Sequence, residues 1–283
     1  MFPVTILNAV ASIGDYRVSE NVAYAEGSRH TLDIYRPAHM DKPAPVVVFF
    51  YGGSWDQGDK AIYRFVGAAL AAQGFVAIIP DYRLYPEVRF PGFLQDAAQA
   101  VAWARIHAGE WDGDPSQIVL MGHSAGAHIA AMLTFDRQWL ASVGLDPVHG
   151  IKAMVGLAGP YDFLPLHSDR LKDIFGPPEG LAATQPINFV TAAAPPVFLG
   201  VPQDDSIVKP KNTINLASRI AQVGGHPTVK FYSHVNHLTL IGSFSLLLRW
   251  MAPVVSDTAQ FIHEMTDRPT AVTSSRAYSN EPA

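Results

Sequence analysis

The sequence predicts an α/β protein: a mostly parallel central sheet with helices on both faces. Two observations carry this. Continuous apolar runs rich in β-branched and aromatic residues recur along the chain, the pattern of strands buried on both faces. Between them lie stretches whose apolar residues repeat at i, i+3, i+4 and i+7, as on one face of a helix. Strand and helix in alternation require right-handed crossovers and a parallel sheet covered on both sides.

In chain order, residues 21–24 and 31–35 read as a short antiparallel pair at the sheet's edge, with Glu26, Gly27, Ser28 and Arg29 turning between them. Residues 45–50 are the first buried strand, and 75–79, 118–121, 153–157 and 197–199 repeat its pattern; 228–232 is a weaker sixth. Ile62, Phe65, Val66, Ala69 and Leu70 share one helical face, as do Leu94, Ala97, Ala98, Val101 and Ala102. Residues 212–222 form a further helix, ended by Gly224 and Gly225. Residues 160–195 are rich in proline and glycine, lack a period, and are expected to form a small lid or pocket wall. The apolar stretch 238–255, interrupted by Thr239, Gly242, Ser243, Ser245 and Arg249, is expected to be a helix packed on the core. These elements imply a single domain over residues 1–265 and a polar tail over 266–283.

Composition narrows the function. The 283 residues include no cysteine, which excludes a disulfide scaffold and thiolate chemistry. Hydrophobic residues are 48% and charged residues 16%, too apolar for a disordered chain. Lysine plus arginine number 20 against 25 acidic residues, a formal charge of −5, which argues against nucleic acid as partner. Residues 1–10 hold no lysine or arginine, so no secretory signal is expected. No stretch approaches the ~20 apolar residues of a membrane span. The expectation is a cytoplasmic protein acting on a small molecule.

The strongest chemical signal is Gly122-His123-Ser124-Ala125-Gly126, which follows the strand at 118–121 and opens a helical stretch. A sharp strand-to-helix turn strains the backbone of its middle residue and presents the serine hydroxyl at the strand's carboxyl end. The flanking glycines let neighbouring backbone approach closely, and the helix start favours negative charge. Ser124 is the candidate nucleophile. A phosphate-loop reading fails, because Asp59 occupies the lysine position after Gly53 and Gly58.

A serine hydroxyl needs a base within hydrogen-bond reach. Among eleven histidines, His237 fits, following the strand at 228–232 in a loop at the sheet's carboxyl edge; His234 is its rival. His123 and His128 flank the nucleophile and read as packing residues. The orienting acid belongs after the strand ending near Gly200, where Asp205 is preferred to Asp204, with Asp162 a remote option. Neither a metal nor a cofactor is implied. Paired glycines after the first buried strand, in Tyr51-Gly52-Gly53-Ser54-Trp55, let backbone N–H groups turn into the site. Gly53, Ser54 and Ala125 are the candidate oxyanion donors. Trp55 is expected to pack beneath this loop.

With these residues in place, the chain resembles an α/β-hydrolase. It is similar to the esterase/lipase branch related to hormone-sensitive lipase and to the kynurenine formamidase-like carboxylesterases. Asp81-Tyr82-Arg83-Leu84-Tyr85-Pro86-Glu87 is close to that branch's D-Y-R-L-A-P-E segment, and Phe90-Pro91 with Asp96 is similar to its next helix. Residues 205–208 and the loop ending at His237 match its acid and base segments. The likeness spans roughly residues 21–250. Tyr51 stands where the branch has a histidine that braces the glycine loop. Asp81, Arg83 and Glu87 are expected to pair as structural ions. The resemblance implies a serine carboxylesterase using Ser124, His237 and Asp205, and the limited room that residues 160–195 leave for a large cap points to small or short-acyl esters. Two alternatives share the fold: an arylformamidase using the same residues on an amide, and a catalytically silent binding protein.

Overall fold

The computed structural model describes residues 4–146 and 148–267. Its strands are β1 (Tyr16–Ala23), β2 (Thr31–Pro37), β3 (Ala44–Phe50), β4 (Val76–Pro80), β5 (Gly113–His123), β6 (Ala153–Leu157), β7 (Val197–Pro202) and β8 (Thr228–Tyr232). They form one sheet in the order β1-β2-β4-β3-β5-β6-β7-β8. The β1–β2 and β2–β4 pairs are antiparallel and all others parallel. The edge hairpin is as expected, although β1 starts earlier, at Tyr16.

The helices are α1 (Val4–Ala11), α2 (Arg64–Ala72), α3 (Gly92–His107), α4 (Ala125–Phe135), α5 (Gln138–Ala141), α6 (Asp169–Phe175), α7 (Lys211–Gln222), α8 (His237–Gly242) and α9 (Val254–Thr266). Strands β4, β6 and β7 are buried at every position, which is why they read as continuous apolar runs. Helix α4 is buried along its whole length, lying against β5 and β6.

Two expectations need correction. Residues 238–255 are not one helix. Helix α8 stops at Gly242, a single 3₁₀ turn follows at Arg249–Met251, and α9 starts after Pro253. The break is physical: Ser243 Oγ bonds back to Thr239 O, and Pro253 has no N–H to extend a preceding helix. The apolar residues Leu238, Leu246 and Trp250 face solvent rather than core. Ile62 likewise leaves the face assigned to it, sitting in a 3₁₀ turn before α2 and 38% exposed. Of the expected 266–283 tail, Thr266 is the last residue of α9 and Asp267 follows it, while 268–283 lie outside the described residues, as do residues 1–3.

The parallel strands end along one edge of the sheet, at Phe50, Pro80, His123, Leu157, Pro202 and Tyr232. Ligands of open α/β sheets bind at such an edge. Every sequence-predicted site residue sits in a loop or helix start there.

Candidate active site

Ser124 joins β5 to α4 with φ 55° and ψ −123°, a conformation L-residues rarely adopt. Packing enforces it. A Cβ built on Gly126 would stand 2.0 Å from Phe50 O, so α4 can start here only against glycine. Ser124 N–H donates to Leu157 O at 2.9 Å, tying the turn to the end of β6. The side chain is 9% exposed, open to a cavity of about 450 Å³.

His237 is the first residue of α8. The helix start is held by a capping box: Asn236 Oδ1 accepts from Leu238 N and Thr239 N, and Thr239 Oγ1 accepts from Asn236 N. His237 Nε2 lies 2.9 Å from Ser124 Oγ and Nδ1 lies 2.8 Å from Asp205 Oδ2. An ionised carboxylate can only accept, so Nδ1 carries the proton and Nε2 is left to accept from the serine hydroxyl.

Asp205 uses its second oxygen differently. Oδ1 accepts from Ile207 N and Val208 N, each at 2.9 Å. Burial alone would raise this carboxyl, but the bonds from His237 and the two amides outweigh it and hold the group below its ordinary value. Asp205 is 2% exposed. The rivals lie elsewhere: Asp204 and His234 are exposed, and Asp162 accepts from Asn215 Nδ2 at 2.6 Å.

The glycine loop lies against the serine, close enough that a Cβ on Gly52 would come 2.9 Å from Ser124 Cβ. Gly53, Ser54 and Trp55 all have positive φ, at 136°, 52° and 60°. The N–H groups of Gly53, Ser54 and Ala125 donate to no described residue, and Ser54 and Ala125 line the cavity. Trp55 packs under the loop as expected, edge-on to Phe175 at 4.7 Å and to His128 at 5.1 Å.

The brace beneath this loop is Tyr51. Its ring stacks between Tyr63 and Tyr82, with centroids 5.4 and 4.8 Å away. Its hydroxyl donates to Asp81 Oδ1 and accepts from Arg29 Nη2, both at 2.7 Å. Lys60, itself 5% exposed, places Nζ 3.7 Å from Asp81 Oδ2. Asp81 thus pairs with Arg29 and Lys60, and Arg83 pairs with Asp96 at 2.7 Å. Glu87 forms no ion pair among the described residues, although its charge acts on Arg83. Sequence reasoning missed Arg29, whose partners lie 22 to 53 positions away, too far for any local pattern. It also missed Asn236, although an Asn three residues before a Thr is a readable cap signal.

His123 and His128 are buried beside the site, as expected of packing residues. Burial and the neighbouring His237 push His123 down to about 3, and burial pushes His128 down to about 4. Both are neutral near pH 7. His128 Nε2–H donates to Thr184 O at 2.8 Å and His123 Nε2–H to His237 O at 3.0 Å. Among the described residues, no group of three His, Asp or Glu side chains is arranged to hold a metal ion.

This geometry can be set beside known proteins. The BD-FAE family model matches residues 32–220. The chain belongs to the BD-FAE family. The BD-FAE match runs from β2 through most of α7, so it includes Ser124 and Asp205 and stops before His237. Among curated relatives, esterase LipC of Mycobacterium tuberculosis is 31% identical over 240 residues, covering 78% of this chain and 58% of LipC. A probable isoprenylcysteine alpha-carbonyl methylesterase, ICMEL1 of Arabidopsis thaliana, is 30% identical over 244 residues, covering 79% of this chain and 51% of ICMEL1. The chain spans about half the length of the curated relatives it matches. Among solved structures, a truncated carbohydrate esterase from gut microbiota superposes with a TM-score of 0.77 at 24% identity, over 90% of this chain and 98% of that one. Esterase 2 of Thermogutta terrifontis gives 0.72 at 24% identity, over 90% and 97%. The fold of this BD-FAE member is therefore the α/β-hydrolase fold. No described helix is long and apolar enough to cross a membrane.

Proposed function

We propose that this protein is a serine carboxylesterase acting on small or short-acyl esters, with Ser124 as nucleophile, His237 as base and Asp205 as orienting acid. One observation carries the reading: the continuous hydrogen-bonded series from Ser124 Oγ through His237 to Asp205, opening on a cavity. His237 Nε2 takes the hydroxyl proton as Oγ attacks the acyl carbon. Asp205 keeps the imidazole in the accepting tautomer and stabilises the cation that forms. The N–H groups of Gly53, Ser54 and Ala125 meet the oxyanion, each worth about 3–4 kcal/mol where such donors have been removed. The alcohol leaves with the proton held on His237, and water, activated by the same imidazole, then releases the acid.

The cavity of about 450 Å³ sits at the small end of ligand pockets, which favours short acyl groups. Relatives named as an esterase and a probable carboxylic ester hydrolase support ester hydrolysis as the reaction. The test is a series of 4-nitrophenyl esters from acetate to palmitate, run with wild type and Ser124→Ala. Turnover is expected to peak at short chains and to fall by about 10⁴- to 10⁶-fold in the variant. A variant retaining near-normal hydrolysis rejects the nucleophile, and a preference for long chains rejects the substrate class.

A further inference from the structure

The chain carries a formal charge of −5, yet the cavity above Ser124 has the opposite sign. Its ionisable lining residues are Lys209, Lys211 and His167, and no aspartate or glutamate lines it. Other cations on the same face are already paired, Lys172 with Asp169 and Arg170 with Asp56. Lys209 and Lys211 have no carboxylate within 4.0 Å among the described residues. Two carboxylates of the neighbouring loops are committed elsewhere, Asp205 to His237 and Asp162 to Asn215.

The backbone that carries the two lysines is held. Asn212 Nδ2 donates to Lys209 O at 3.1 Å, while Asn212 Oδ1 accepts from Tyr161 N and Asp162 N on the facing wall. Two residues earlier, Ile207 N and Val208 N are bound by Asp205. The same loop therefore orients the acid beside His237 and sets the cations at the cavity wall. The remaining lining is largely apolar, with Phe163, Leu164, Leu166 and Leu171 opposite. Low-dielectric walls focus the field of charges at a cleft. Two cations without a carboxylate partner stand at one cavity, a setting that suits an anion.

We infer that the ester this site accepts bears a carboxylate on the part that fills the cavity, and that Lys209 and Lys211 select for it. The inference rests on the carboxylesterase reading and adds to it the charge of the substrate. Both lysines are exposed at the rim, so each acts through a partly screened charge, and together they are expected to favour the anion roughly 2- to 30-fold.

The experiment compares matched pairs that differ only in charge. Monomethyl adipate is set against methyl 6-amino-6-oxohexanoate, which places the carboxylate on the acyl side. Separately, 4-acetoxybutanoate is set against 4-acetoxybutanamide, which places it on the alcohol side. Wild type is expected to show a higher kcat/KM for the anion in one pair, through KM, and the ratio should shrink as ionic strength rises. The ratio should fall to about one in K209Q/K211Q and invert in K209E/K211E. Equal rates within both wild-type pairs, or a wild-type ratio persisting in K209Q/K211Q, overturns the inference alone. Absence of any turnover, with 4-nitrophenyl acetate also untouched, overturns the esterase reading and this inference with it.

Discussion

The phenol of Tyr51 donates to Asp81 Oδ1 at 2.7 Å. Neither residue reaches the cavity, but Tyr51 begins the glycine loop and Asp81 follows β4, so this bond clamps two carboxyl-edge loops together. The backbone N–H of Lys60 adds a second donor to the same oxygen, at 2.9 Å, and Tyr82 Oη donates to Tyr51 O at 2.7 Å. Burial raises the Tyr51 phenol far above its ordinary range, so it remains a donor at any working pH. Tyr51→Phe removes a donor from a buried carboxylate and an acceptor from Arg29. Unfolding free energy is expected to drop by about 1–3 kcal/mol, and kcat should fall as Gly53 and Ser54 lose their support. Urea unfolding checks the first, and a midpoint equal to wild type would contradict the clamp.

Asp205→Asn separates orientation from charge. Its Oδ1 contacts to Ile207 N and Val208 N can survive, so the loop should hold. The new amide would present N–H to His237 Nδ1 and move the ring proton to Nε2, where it blocks acceptance from Ser124. The expected loss in kcat is about 10⁴-fold with an unchanged circular dichroism spectrum. A loss below tenfold would remove Asp205 from this role.

Asn236→Ala tests the cap that sets His237. Loss of an N-cap costs about 0.5–2 kcal/mol, and because His237 is the next residue, catalysis should fall further than stability implies. Asn236→Asp keeps an acceptor at the same place and should restore both. Thermal unfolding and ester turnover, measured on all three proteins, give the comparison.

Acid should weaken the fold through its buried imidazoles. The unfolded chain binds protons at His123 and His128 from about the ordinary value of 6.5 downward, whereas the folded protein does so only near 3 and 4. Between pH 6.5 and about 4 the unfolded state holds more protons, so stability falls as pH falls, by up to about 1.4 kcal/mol per unit for each group. Asp205, lowered in the folded state, adds to the loss only below its ordinary 3.8. His128→Gln keeps a donor for Thr184 O without a titrating ring, so its stability–pH slope should be shallower by about one proton. An identical slope would show that His128 is already charged.

Where local pattern sufficed, the sequence was a good guide. The buried strands declared themselves because both faces are covered, and the elbow because a serine between close-packed glycines has few structural uses. His237 and Asp205 followed from chain order and the strand each succeeds. The rest depends on distant pairing. Arg29 meets Tyr51 and Asp81 only after the edge hairpin folds over the glycine loop, and nothing near residue 29 signals it. The 238–255 stretch misled because an apolar run says nothing of which side faces water: Trp250 is 81% exposed. The cationic side of the cavity was equally hidden, since Lys209 and Lys211 lie where the loop after Asp205 runs into the start of α7, with no local pattern to mark them.

The bond from His123 Nε2 to His237 O has a mechanical consequence. The residue just ahead of Ser124 bonds the main chain of His237, so hydroxyl and imidazole are tied to the same strand. With the Asn236 cap also in place, warming that loosens other surface segments leaves the two together while β5 stays in the sheet. Activity should therefore persist almost to the melting point and vanish with it, instead of fading well beforehand.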